Sequence, residues 1–325
     1  MSSLPGTNSD LLPSGGAVPV IDALEPVDAA VIARKPGVGR RLLHNWSVLI
    51  GGLIVMLIAL MGVVAPLLTP VDPAAINPGS RNQLPGFEIT ERNDEGQKIT
   101  RTAHMGTDGL GRDIFARVVY GARVSLIVGL AVAALSVAIG VAIGVVAGYF
   151  RWLDGILMRI MDGLMAIPAI LLAIALVSLS GASLMTVIVA VAIPEVPRVV
   201  RLVRSIVLSI REESYVEAAI SVGTPTALVL WRHVLPNTIA PLIVQATFIC
   251  GSAILLEAIL SFLGVGIPPE IPTWGNIMAE GRSVFEVYPH NIIYPGVFLT
   301  LTVLAINMLG DGLRDTLDPR MAKRV

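Results

Sequence analysis

Six stretches of this chain are long and apolar enough to cross a bilayer, and that feature limits its fold more than any other. A spanning helix needs roughly 20 consecutive apolar residues. Such runs occur at residues 46–68, 125–149, 156–179, 184–203, 239–264 and 294–309. Composition agrees. Only 14% of the 325 residues are Asp, Glu, Lys or Arg, against ~25% in a soluble domain. A soluble enzyme of this size and a disordered chain are both excluded. The expected fold is an all-α polytopic membrane protein with six transmembrane helices. The formal net charge is -1, with 23 basic against 24 acidic residues, so there is no nucleic-acid signature. Cys250 is the single cysteine; no intrachain disulfide can form, and no Cys/His cluster has metal-ligand spacing.

Basic residues set the orientation. Arg34, Lys35, Arg40 and Arg41 precede the first run, and Arg314, Arg320, Lys323 and Arg324 follow the last. Lys and Arg gather on the cytoplasmic side, so both termini are expected in the cytoplasm. On that assignment, 15 of the 23 basic residues fall inside, and seven of the remaining eight lie in one long outer loop from Arg81 to Arg123. Long loops follow the charge rule weakly. The first 33 residues carry no Lys or Arg and no apolar core. They read as a flexible polar tail rather than a signal peptide.

Within the second run, Ser136, Gly140, Gly144 and Gly148 recur every four positions, which makes one smooth ridge on a helix. Close approach of small residues drives packing in lipid, so this ridge should meet a helix of this chain or of a partner. Pro168 and Pro194 fall inside runs three and four and should kink them or mark irregular turns. Ionisable groups at membrane depth each need a reason. Arg159 and Asp162, three residues apart, are read as an intrahelical pair, and so are Glu195 and Arg198. Asp162 is also a candidate for the transport pathway. Glu257, roughly 27 Å into run five at 1.5 Å per residue, is a candidate for the rim or for a gate.

The most informative segment is the inner loop between runs four and five. In the stretch from Arg211 to Pro225, acidic residues followed by Ala and Val read as a short helix, which Gly223 stops where a left-handed conformation is needed. Thr224 is then expected to cap a second helix, with Pro225 in its first turn. That helix should run from Ala227 to Val234 and break at Pro236-Asn237. Two short helices joined by a fixed glycine turn form a rigid elbow.

Glu217-Ala218-Ala219, then three residues, Gly223, nine residues and His233-Val234-Leu235-Pro236, resemble the EAA loop of permease subunits in ATP-binding-cassette importers. The Arg-His-x-Leu-Pro-Asn form resembles the dipeptide/oligopeptide (and nickel) branch. Other stretches similar to that family are Gly106-Thr107-Asp108-Gly109-Leu110-Gly111-Arg112-Asp113, Met158-Arg159 with Asp162 and Pro168, and Glu257 with Leu260-Ser261-Phe262-Leu263-Gly264. Trp274-Gly275-Asn276, Glu280-Gly281-Arg282 and Leu309-Gly310-Asp311-Gly312 complete the match, which runs from about residue 40 to the end. The chain departs from the pattern at Ile193 and Val196-Pro197, which receive no substrate role. Residues 85–101 are expected to be a surface excursion.

The resemblance implies the type I importer permease fold. Its parts would be a cytoplasmic tail at 1–45, a first helix and long outer loop at 46–120, and a core permease domain at 121–325 that holds the 211–236 coupling loop. It also implies a bacterial cytoplasmic membrane location and four kinds of partner: the lipid bilayer, a second and different permease, two ATP-binding subunits and an extracytoplasmic substrate-binding protein. Tyr215, Glu217, Ala218, Ala219, Gly223, Leu235 and Pro236 would couple to the ATPases, while Pro269, Trp274 and Arg282 are candidates for contact with the binding protein. None of the three lysines follows a glycine or precedes Ser or Thr, so no phosphate-binding loop exists here. ATP and Mg are expected on partner subunits, with no cofactor and no catalysis on this chain. Dipeptides or oligopeptides are the expected cargo, with nickel or glutathione as alternatives. A carrier driven by an ion gradient would instead need charges at mid-membrane and usually an inverted repeat.

Overall fold

The computed structural model describes residues 38–92 and 98–317. The expected spans break down into helices whose ends differ from the apolar runs. α1 (Val38–Leu42) leads to α2 (Trp46–Val63), which Asn45 caps by accepting from the backbone N–H of Ser47 at 2.9 Å. α3 (Ala65–Leu68) follows. The chain then forms the antiparallel hairpin β1 (Phe87–Arg92) and β2 (Lys98–Ala103), with Phe87 opposite Ala103 and Thr90 opposite Thr100. The all-α expectation is thus corrected in one place. Alternation along β1 and β2 puts Ile89 and Ala103 in the interior, so the 85–101 excursion is anchored by apolar side chains. The expected tail, up to Gly37, and the basic residues after Leu317 lie outside the described residues.

α4 (Ile114–Tyr149) starts eleven residues before its apolar run, at the cap formed when Asp113 accepts from Phe115 N–H at 2.9 Å. Its 36 residues extend for roughly 54 Å at 1.5 Å per residue, well beyond the hydrocarbon. Run three is not one kinked helix. It divides into α5 (Arg151–Ala166) and α6 (Ala169–Ser180), bent by 89°. Ile167 is extended because the ring of Pro168 disfavours helical backbone in the residue before it. α7 (Leu184–Arg211), by contrast, runs unbroken through Pro194 and Pro197. α8 (Ser214–Ser221) and α9 (Thr226–Val229) precede α10 (Leu235–Phe262); α11 (Trp274–Gly281) and α12 (His290–Leu317) complete the chain.

Among the described residues, four continuous stretches are long and apolar enough to cross a membrane: Trp46–Val63, Ile114–Tyr149, Thr226–Phe262 and His290–Leu317. The bent pair of α5 and α6 makes a fifth if it is one span. α7 falls outside that set because Glu195, Arg198 and Arg201 interrupt its apolar sequence.

The small-residue ridge finds its partner within the chain. A Cβ on Gly144 would sit 2.7 Å from that of Val203, and one on Gly148 would sit 2.6 Å from that of Val207. Gly140 faces Val199 in the same way, and the Ser136 hydroxyl donates to the Ala192 carbonyl at 3.2 Å. Numbering rises together on both helices, so α4 and α7 are parallel. Elsewhere the contacts are antiparallel. Gly51 of α2 lies against Ala305 and Leu309 of α12 while Val48 meets Gly312; Gly129 of α4 lies against Cys250 and Ile254 of α10, whereas the earlier Gly121 lies against Trp274, which follows α10 and whose neighbour Gly275 meets Ala258.

Candidate functional site

At one end of the bundle, the residues singled out in the 211–236 loop form a connected surface. α8 ends in a turn at Gly223, where φ is +88°. The Thr224 N–H donates back to the Ala219 carbonyl at 3.0 Å, the six-to-one bond that closes a left-handed C-cap. A Cβ at Gly223 would meet nothing within 4 Å. Backbone conformation, not crowding, requires glycine here.

After the turn the details depart from expectation. Pro225, not Thr224, occupies the N-cap of α9, and no side chain caps that helix. There is no break at Pro236-Asn237. α9 passes through a π turn at Leu230–Val234 directly into α10. The wider turn accommodates a proline that has no N–H to give, and the Asn237 side chain donates to the His233 carbonyl at 2.7 Å. The elbow is therefore continuous with a membrane helix on one side.

Val216, Val229 and Val234 fix the elbow by pointing into the core. The opposite face is open: Val222 is 87% exposed, Trp231 71% and Tyr215 47%. Glu217, Ala218 and Pro236 are also exposed, while Ala219 and Leu235 are half-buried. The Tyr215 ring lies 5.8 Å from that of His233, which joins α8 to the π turn. Tyr215, Glu217, Ala218 and Gly223 thus lie together on α8 and its closing turn, while Pro236 lines the cavity beside α10.

The opposite end holds a charged knot that sequence reasoning recorded only as a motif. Asp108 accepts from the backbone N–H groups of Leu110 (2.8 Å) and Arg112 (2.9 Å) and from Arg112 Nε (2.7 Å). Arg112 also pairs with Glu280 on α11. Arg117, fully buried on α4, lies 3.5 Å from Glu280 and 3.9 Å from Asp108, and donates to the Pro269 carbonyl at 3.4 Å. The signal available in the sequence was the spacing of Asp108, Arg112 and Arg117, but Glu280 is too distant along the chain to pair by inspection. Trp274 is buried at the same end, and its indole N–H donates to the Val118 carbonyl at 3.1 Å. It anchors the segment between α10 and α11 to α4 and has no surface for a partner. Pro269 and Arg282 are exposed; the Arg282 guanidinium stacks over Phe262 at 5.5 Å.

The two candidates for the pathway lie apart. Asp162 does not pair with Arg159: it accepts from Arg201 of α7 at 2.5 Å, and both side chains are largely exposed. Asp154 takes two bonds from Arg204, at 2.5 and 2.6 Å. These cross-helix pairs, invisible at short sequence range, tie α5 to α7. Glu195 and Arg198 do form the expected intrahelical pair, with both bonds at 2.9 Å. Glu257 is fully buried rather than on a rim, and Oε1 accepts from the Ser261 hydroxyl at 2.7 Å. A cavity of about 720 Å³ opens between α7, α10 and α12, with Asn237, Gln245, Phe248 and Arg314 in its wall.

Long apolar helices packed side by side, with an exposed elbow at one end and a charged knot at the other, define a multi-pass membrane protein. The family described as binding-protein-dependent transport system inner membrane component matches residues 140–323, and the N-terminal TM domain of oligopeptide transport permease C matches residues 37–85. The chain belongs to the family of inner membrane components of binding-protein-dependent transport systems. It is 52% identical over 277 residues to a probable peptide ABC transporter permease protein of Sinorhizobium fredii, a match covering 85% of this chain and 90% of the relative. It is 42% identical over 283 residues to the dipeptide transport system permease protein of Alkalihalophilus pseudofirmus, covering 87% and 88%. A glutathione transport system permease protein of Pectobacterium atrosepticum is 40% identical over 284 residues, covering 87% and 90%.

Proposed function

We propose that this chain is a permease subunit of an ABC importer for short peptides, with a second, different permease completing the path. The observation that carries the proposal is the elbow. It is held by buried valines, closed by a left-handed glycine, exposed on its outer face and continuous with α10. Such an element transmits force from a docked partner to a membrane helix without dissipating it in a flexible loop. Two ATPase subunits holding ATP and Mg would supply that force, and this chain would hydrolyse nothing. An extracytoplasmic binding protein would deliver cargo at the opposite end, where Pro269 and Arg282 are exposed.

In this reading the spans number six, with α7 as the sixth, and both termini lie in the cytoplasm of a bacterial inner membrane. Two observations support that topology: the parallel packing of α4 and α7, and the bond from the Asn45 side chain to the Gly312 carbonyl at 3.3 Å. Peptide cargo follows from relatives named for peptides and dipeptides, with a relative named for glutathione marking the same chemical class. A nickel chelate is the alternative cargo within the family that the sequence resembles.

Reconstitution tests the proposal. Liposomes holding this chain, its partner permease and the ATPases should take up labelled dipeptide only with ATP inside the ATPase compartment and binding protein outside. Uptake by this chain alone, driven by an ion gradient and unaffected by ATPases, would overturn it.

A further inference from the structure

We infer, on the topology proposed above, that α5 carries a binding site for an anionic phospholipid of the inner leaflet. α6 has no charged residue, whereas α5, bent 89° from it, has four: Arg151, Asp154, Arg159 and Asp162. The uncharged segment belongs in hydrocarbon, and the charged one belongs at the interface.

The two acids and the two bases of α5 have different fates. Asp154 and Asp162 turn toward α7 and are neutralised by Arg204 and Arg201. Arg151 and Arg159 are exposed and make no hydrogen bond or ion pair among the described residues. The outward face of α5 therefore carries uncompensated positive charge. Residues four apart share a helix face, so Arg151, Gly155 and Arg159 form one stripe. Trp152, Ile156 and Ile160 form the stripe beside it, all three more than half exposed.

Together these six residues border a shallow, open groove of about 480 Å³ on the surface of α5. Its floor is Gly155, where a Cβ would meet nothing within 4 Å. The two guanidinium groups flank the groove, and each can hydrogen-bond phosphate oxygens in a fixed fork. Acyl chains then lie along the tryptophan and the isoleucines, where an aromatic ring suits the boundary between headgroup and hydrocarbon. Charge and apolar surface occur in the arrangement of an interfacial helix that reads anionic lipid.

The experiment places the full transporter complex in nanodiscs of equal phosphatidylglycerol and phosphatidylcholine. Native mass spectrometry then counts the lipid retained after extraction. The wild type should retain phosphatidylglycerol selectively. The double variant Arg151→Gln, Arg159→Gln should bind it roughly 30-fold more weakly, at about fivefold per arginine near an anionic surface. Gly155→Leu, which fills the groove floor without changing charge, should also lower retention, and the Cβ it adds meets no protein atom within 4 Å. A photo-crosslinking residue in place of Ile156 should form adducts with lipid. Unchanged phosphatidylglycerol retention in both variants overturns the site. Adducts with the partner permease instead of lipid overturn it too, because they would make this face a subunit interface.

Discussion

Gly223 occupies a backbone conformation that costs an L-residue with a side chain about 1–2 kcal/mol, and it does so in open space. The strain of a substitution there would be local, because no neighbour is displaced. Gly223→Leu should therefore leave membrane insertion and thermal unfolding nearly unchanged. It should reshape the turn between α8 and α9, lowering both ATPase co-purification and substrate-stimulated hydrolysis. Full stimulation in the variant would remove the elbow from the coupling mechanism. Arg112 presents the opposite case, buried and paired with Asp108 and Glu280. Removing one partner of a buried ion pair typically costs about 3–5 kcal/mol, because the remaining charge is stranded. Arg112→Met should sharply lower the unfolding temperature in detergent. Glu280→Gln should lower it less, since Glu280 is partly exposed and an amide can still accept a hydrogen bond. Equal unfolding temperatures for wild type and Arg112→Met would show that the knot contributes nothing to stability.

The interface between α4 and α7 depends on the absence of side chains on one helix and the presence of β-branched ones on the other. Three glycines four residues apart face Val199, Val203 and Val207, also four apart. The valines are stiff at χ1 and cannot swing aside. Gly144→Leu should destabilise the chain by about 1–3 kcal/mol through overpacking, and Val203→Ala in the same chain should recover part of that loss. An unfolding temperature unaffected by Gly144→Leu would mean the two helices are not held at this distance. The ridge was legible in the sequence because a period of four survives any tertiary arrangement. Its partner was not, because Val199 to Val207 look like any apolar run. Gly223 was legible for a similar reason: a left-handed turn needs glycine wherever it occurs. The start of α4 and the pairing of Asp162 were hidden by different physics. Apolarity reports where lipid begins rather than where helical hydrogen bonding begins, and Asp162 finds Arg201 only after α5 folds back onto α7. The break expected at Pro236 failed because a π turn can absorb a missing donor, and nothing in the local sequence distinguishes absorption from rupture.

Helix directions among the described residues bear on the topology. α4 and α7 are parallel, which supports a return across the bilayer between them through the bent pair of α5 and α6. α2 runs against α12 and α10 runs against α4, which places the start of α2 and the end of α12 on the same face, where Asn45 bonds Gly312. In the six-span reading these directions give an even number of crossings, with α7 a span despite Glu195, Arg198 and Arg201. Glu195 and Arg198 offset each other's charge within the helix, and Arg201 is held by Asp162. Cysteine scanning can decide this cleanly, because Cys250 is the only native thiol and lies buried. In a Cys250→Ser background, Leu179→Cys and Val222→Cys flank α7 at positions 86% and 87% exposed. A membrane-impermeant maleimide added to intact cells with a permeable outer membrane should label the first and spare the second. In inverted vesicles the pattern should reverse. Labelling of both from the same side would mean that α7 does not cross, and the elbow would then lie on the wrong side of the membrane to meet a cytoplasmic ATPase.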